Sequence, residues 1–252
     1  MVLLKNKKEI DGIRKSGRIL SLVLKKLRKA AKIGVSLIEL DKLAAEIIKS
    51  KKAESAFLYY RPLGSRYGFP GHICLSLNET VVHGIPDDYV LKDRDLLKID
   101  VGIKYKGLIS DAATTLIIGS ASSDVCRLIK ATKQALTAGI KVLKIGNQLG
   151  DVGAAIEKVA RKNRVNVIRG LGGHGVGFYP HEEPMVYNFG EKGKGMTLVE
   201  GMVIALEPMF SLGSSIILEL DDGSFITSDR SLSAHFEHTI AVTKSGPKVL
   251  TL

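Results

Sequence analysis

This 252-residue chain is poor in cysteine, and the two it has, Cys74 and Cys126, stand far apart. Neither belongs to a C-x-x-C pair, which excludes a zinc-finger or dithiol redox motif. Two unpaired thiols suit a reducing compartment. Long apolar runs are also missing: none reaches the roughly 18–20 residues of a membrane span. The opening MVLLKNKKEIDG lacks a signal-peptide core and cleavage site. These absences together predict a cytoplasmic protein with no membrane contact. No Pro/Ser linker, fixed-period repeat or low-complexity segment divides the chain.

What is present is a core-forming composition, 45% hydrophobic, with a formal charge of +11. Much of the positive excess lies in the first 60 residues, in KNKK, KKLRKAAK and KSKK. Solvated helix faces account for such runs as well as a polyanion-binding surface does. Aromatics are not interleaved with them, and no RNA-binding motif is found. Ile10, Ile13, Leu20, Leu24, Leu27 and Ala31 make one helix face over residues 7–32, with Gly34 as a stop. Ser36 and Glu39 form a capping box before Leu40, Leu43, Ala44 and Ile47. The spacing thus predicts leading helices over about 7–50. A strand-rich stretch follows at about 72–119. A third helix starts at Ser123, a fourth covers 148–162, and short strands occupy the rest. The class expected is α+β with a mainly antiparallel sheet.

Five residues ask for metal. In LLKIDVGIKYKGLISDAATTLIIG, a turn centred on Tyr105 and Lys106 would set Asp100 directly opposite Asp111, two like charges needing a cation between them. In GLGGHGVGFYPHEEP, His174 lies among four glycines, and His181 follows seven residues on. Glu207 interrupts an apolar strand in GMVIALEPMF, where an ionised carboxylate must be paired or metal-bound. Glu237 opens an apolar strand in SAHFEHTIAV. Four carboxylates and one imidazole suit two divalent ions better than one zinc, and such pairs activate water. The residues alone therefore imply a dinuclear metal hydrolase with no named substrate.

These segments resemble the methionine aminopeptidases, type I. The matching pieces are CLSLNETVVHGIP (74–86), KIDVG (98–102), SDAATT (110–115), GHGVG…PHEEP (173–184), LEPMF (206–210) and DRSLSAHFEHTIAVT (229–243). His174 and Glu207 stand 33 residues apart, leaving no room for the type II insertion. The resemblance implies a pita-bread fold, two pseudo-symmetric α/β halves around a central antiparallel sheet. Residues 1–252 would form a single catalytic domain.

The resemblance also implies roles. Asp100 would chelate one ion, Asp111 and Glu237 would bridge two, and His174 and Glu207 would complete the other. Two divalent ions (Co, Mn, Fe or Zn) would be held. Glu207 would also shuttle a proton, His181 would bond the scissile carbonyl, and His83 would sit near the substrate amine. A hydroxide held by the ions would attack the first peptide carbonyl of nascent chains, with a small second residue favoured. Phe69, Cys74 and Tyr67 would line the methionine pocket. Three positions depart from the pattern: Pro180 and Arg66 replace frequent aromatics, and DDGSF stands where a Trp is common. A monomer is expected, with ribosome contact through the basic surface as one use of the charge. Two rivals are a proline-directed peptidase of the same fold, which usually carries an extra domain, and a non-catalytic binding protein, which typically loses metal ligands.

Overall fold

The structure is a computed structural model and describes residues 1–61 and 68–252. Both leading helices form where the spacing predicts them. Helix α1 spans Lys7–Ala30 and α2 spans Leu37–Ser50. Each begins with a reciprocal capping box, Asn6 with Glu9 and Ser36 with Glu39, which satisfies two otherwise orphaned N–H groups per helix. Between them Gly34 takes φ +91°, a conformation that a side chain would strain. The α1 face buries Ile13, Leu20, Val23 and Leu27. Leu24, expected on that face, is only partly buried, and Val23 takes the inward place.

The strands that follow are β1 (Glu54–Ser55), β2 (Cys74–Leu77), β3 (Thr80–Val82), β4 (Leu96–Tyr105) and β5 (Leu108–Ile117). Helices α3 (Ser123–Val142) and α4 (Leu149–Asn163) come next, as expected. Ten more strands follow: β6 (Asn166–Val167), β7 (Gly172–Gly175), β8 (Glu182–Tyr187), β9 (Val203–Leu206), β10 (Met209–Ser211), β11 (Ile217–Glu219), β12 (Phe225–Thr227), β13 (Ser233–His235), β14 (His238–Thr243) and β15 (Gly246–Val249). Every strand pairing among the described residues is antiparallel.

Two sheets matter for the site. In the first, β5 lines one edge of β4 while β2 and β1 line the other. In the second, the order is β15-β14-β9-β7-β8. Helices α1 and α2 cover the first with a cluster that includes Leu20, Leu27, Leu40, Ile99 and Val101. Helices α3 and α4 cover the second through Leu128, Ala135, Ile156, Ile204 and Leu206.

The halves repeat one another in backbone detail. After α1, Gly34, Leu37 and Ile38 donate to the carbonyls of Leu91, Tyr89 and Asp87 at 2.9, 3.0 and 2.8 Å. After α3, Gly146, Leu149 and Gly150 donate to those of Leu198, Met196 and Lys194 at 3.0, 3.0 and 2.9 Å. Each set leads into a central strand, β4 in the first half and β9 in the second. The duplication is a pseudo-twofold written in hydrogen bonds, and K-I-G-x-x-L recurs at its two corresponding corners, residues 32–37 and 144–149.

One expected register is corrected. The β4–β5 turn centres on Lys106 and Gly107, both at positive φ (51° and 80°), so Tyr105 faces Leu108. Gly107 supplies the left-handed position that such a tight turn needs. Asp111 therefore pairs with Gly102, and Asp100 with Ala113. The two carboxylates are diagonal neighbours on one sheet face, not directly opposed.

Candidate metal centre

Asp100 and Asp111 enter from the first half. His174, Glu207 and Glu237 enter from the second. The β9–β14 ladder pairs Leu206 with His238, and Glu207 and Glu237 are the next residue beyond it on each strand. Glu207 thus stands in the break between β9 and β10, just ahead of Pro208, and Glu237 in the break between β13 and β14. His174 pairs with Ala205 across the other edge of β9. Backbone close approach fixes that edge: a Cβ on Gly173 would lie 2.2 Å from the Ala205 carbonyl oxygen, and one on Gly175 2.3 Å from that of Glu183. Only glycine fits at either place.

Hydrogen bonds stitch the halves together at the site. The Asp111 N–H donates to Thr239 Oγ1 at 2.8 Å, and that hydroxyl donates back to the Asp111 carbonyl at 2.7 Å. The Glu237 N–H donates to the Ala113 carbonyl at 3.0 Å. Thr115 Oγ1 donates to the His235 carbonyl at 2.7 Å and accepts from its N–H at 2.9 Å. The buried side chain of Asn188 donates to the Glu207 carbonyl at 3.0 Å.

Asp111, His174 and Glu237 each place one donor atom so that all three lie within 4.8 Å of one another. His174 Nε2 is 3.4 Å from Glu207 Oε1, and its Nδ1 sits 2.9 Å from the Gly175 carbonyl. That second bond fixes Nδ1 as the protonated nitrogen and turns the Nε2 lone pair into the site. Burial raises every carboxylate: Asp100 to about 6 and Glu207 to about 7. Asp111 and Glu237 go well above the usual range, first through burial and then through their acidic neighbours. Asp100 Oδ1, Asp111 Oδ1 and Glu237 Oε1 are buried with no hydrogen-bond partner. Buried acceptor oxygens left unpaired are costly, and a bound cation would meet all three at once. Four carboxylates and an imidazole, with orphaned oxygens, fit divalent cations.

A cavity of about 1140 Å³ opens onto this cluster. All five expected ligands line it, together with Phe69, Cys74, His83 and His181. His181 is at the solvent side, its ring 4.4 Å from that of His174, with Nδ1 3.0 Å from the Tyr60 hydroxyl. Loss of hydration, then the neighbouring His174 and His83, push its pKa down to about 3. Burial likewise lowers His83, which stacks edge-on against Phe225 at 5.7 Å. Cys74 is buried, and burial pushes its thiol up. Tyr67 and Arg66, expected at the pocket, lie outside the described residues. Asp221, Asp222 and Gly223 do line the cavity, where a Trp was noted as common. Pro180 is not among the lining residues.

Two residues escaped the sequence reading. Tyr60 had no signal beyond its type. His235, two residues before Glu237, was visible in SAHFEH but overshadowed by the carboxylate. It is 1% exposed, and Nε2 lies 3.3 Å from Glu207 Oε2. Burial pushes its pKa down to about 4.

Buried acids and an imidazole between two paired sheets make a candidate metal centre, and the family match gives the class, a metallopeptidase. Residues 11–244 match metallopeptidase family M24, and the chain belongs to that family, in its methionine aminopeptidase branch. It is 41% identical to a methionine aminopeptidase of Clostridium perfringens, over 100% of this chain and 99% of that one. The solved methionine aminopeptidase of Rickettsia prowazekii superposes with a TM-score of 0.95 at 37% identity, each chain covered in full. A prolidase from Pyrococcus furiosus, 21% identical, shares the pita-bread fold with a TM-score of 0.76, but this chain covers only 65% of it.

Proposed function

We propose that the chain, acting as one catalytic unit over residues 1–252, removes the N-terminal methionine from nascent polypeptides with a small second residue. The observation that carries this reading is the cavity. Its wall brings together every described residue that the methionine aminopeptidase pattern implies, metal ligands and accessory histidines alike. Asp100, Asp111, His174, Glu207 and Glu237 would hold two divalent ions, of Co, Mn, Fe or Zn. Bound there, the ions supply an acidified water and a Lewis acid for the scissile carbonyl.

The chain's own groups do the rest. The His181 imidazole, neutral at physiological pH, hydrogen-bonds the scissile carbonyl oxygen as it gains charge. The Tyr60 hydroxyl orients that ring. Glu207, at the cavity wall beside the other ligands, passes a proton to the leaving amine. His83 lies beside the substrate amine. Phe69 and Cys74 give the methionine side chain an apolar wall, and Tyr67 is assigned to the same wall from the sequence. The basic surface provides for ribosome contact, and the working state is a monomer in the cytoplasm.

A peptide-release assay tests this. Metal-free protein is titrated with Mn, Co, Fe or Zn and offered Met-Ala-Ser or Pro-Pro-Gly. Free methionine from the first peptide, dependent on metal, is the expected result. Release from the second alone would move the assignment to a proline-directed peptidase. No release with any metal from folded protein would sink the enzymatic reading.

A further inference from the structure

His235 is a second imidazole in the carboxylate cluster, and no role described so far uses it. It ends β13, and its backbone is held from both sides by the Thr115 hydroxyl. Its Nδ1 and Nε2 are both buried and both lack a hydrogen-bond partner. A buried polar group left unsatisfied costs about 1–3 kcal/mol, so a ring with two open nitrogens demands an explanation.

The ring points into the site. Nε2 is 3.3 Å from Glu207 Oε2 and 3.9 Å from Glu237 Oε2. His174 Nε2 approaches the other oxygen of the same carboxylate, Glu207 Oε1, at 3.4 Å. The two imidazoles therefore bracket Glu207. A hydrogen bond from His235 to Glu207 would satisfy one nitrogen, but the ring is not aligned for it. Shared coordination suits the spacing better. Two donors each about 2.1 Å from one ion lie roughly 3.0–3.4 Å apart at angles near 90–110°, and never more than about 4.2 Å.

We propose that His235 is a sixth protein ligand, bound through Nε2 on the side of the metal pair that Glu207 and Glu237 share. This rests on the metal-dependent reading above. The donor set becomes two imidazoles and four carboxylates. A second nitrogen donor shifts preference toward zinc, cobalt and iron and away from manganese.

The test reads coordination, not turnover. In the Co(II)-loaded protein, a ligated histidine shows a paramagnetically shifted ring N–H signal in the proton NMR spectrum. Two such signals are expected in the wild type and one in His235→Gln. Dialysis against equal Mn(II) and Zn(II) should also leave the variant with a zinc-to-manganese ratio at least about tenfold lower than the wild type. A single shifted signal in the wild type overturns the proposal, and that count does not depend on the variant folding. An unchanged metal ratio in a folded variant counts against it equally. Failure of the wild type to take up either metal would overturn the metal-dependent reading itself, a different result from metal bound without His235.

Discussion

Asp100 and Glu207 show what single residues contribute and what they cost. Both are raised, to about 6 and about 7, because burial removes the water that would stabilise their charge. Between the ordinary carboxylate range and these values, the four site carboxyls hold more protons folded than unfolded, outweighing His181 and His235, whose lowered pKa acts the other way. Stability of the metal-free protein therefore falls as pH rises through that window. Thermal unfolding in a chelator should give a lower Tm at pH 7.5 than at pH 5, and added divalent metal should reverse the difference. Asp100→Asn should flatten the metal-free slope. Glu237→Gln should abolish methionine release and lower metal content, measured by elemental analysis. His181→Ala should cut turnover by about 10²–10³-fold with metal content nearly intact. Loss of metal there would mean that its role is structural.

At the scale of elements, the loop that carries His181 is tied down from a distance. Glu182, next to His181, forms a buried ion pair with Lys5 of the N-terminal segment. Its other oxygen accepts the N–H groups of Phe178 and Tyr179 at 2.6 and 2.9 Å. The N-terminal segment thereby sets the shape of the loop that carries His181. Lys5→Met leaves Glu182 buried without its cation, a loss of roughly 3–5 kcal/mol. Denaturant unfolding at pH 7.5 should show that loss, and an unchanged midpoint would refute the staple. The β4–β5 turn makes a similar point. Gly107, at φ +80°, sets the register that places Asp100 and Asp111 diagonally. Gly107→Ala should destabilise by about 1–2 kcal/mol in the same unfolding experiment.

Across the whole molecule, the charge of +11 is unevenly placed. Helix α1 exposes Lys7, Lys8, Lys15, Arg18, Lys25, Lys26, Arg28 and Lys29, whereas the cavity gathers acids. The ribosome contact proposed for that basic surface should weaken by at least tenfold between about 50 and 200 mM salt. Co-sedimentation that does not respond to salt would exclude an electrostatic dock. No helix among the described residues is long and apolar enough to cross a membrane.

The local signals were strong in the sequence. The Ser36 capping box, the α3 start and the glycine frame of His174 follow from spacing and from what a backbone can do without a side chain. That the five candidate residues would share one site was legible because buried acid in apolar strands is costly and needs a reason. Three things waited for the tertiary structure. The β4–β5 register depended on which two residues took positive φ, and Lys106-Gly107 is a quieter signal than Asn-Gly. The pseudo-twofold, implied by the resemblance, leaves only a short trace in the sequence, K-I-G-x-x-L at residues 32–37 and 144–149, and it was the matching backbone hydrogen bonds that gave that trace a meaning. His235 was hidden because its meaning comes from what its ring faces across the halves. Type and spacing determine which groups can bind a metal. Only packing decides which of them meet, because distance between strands is set by register and by the threonine and glycine contacts that fix it.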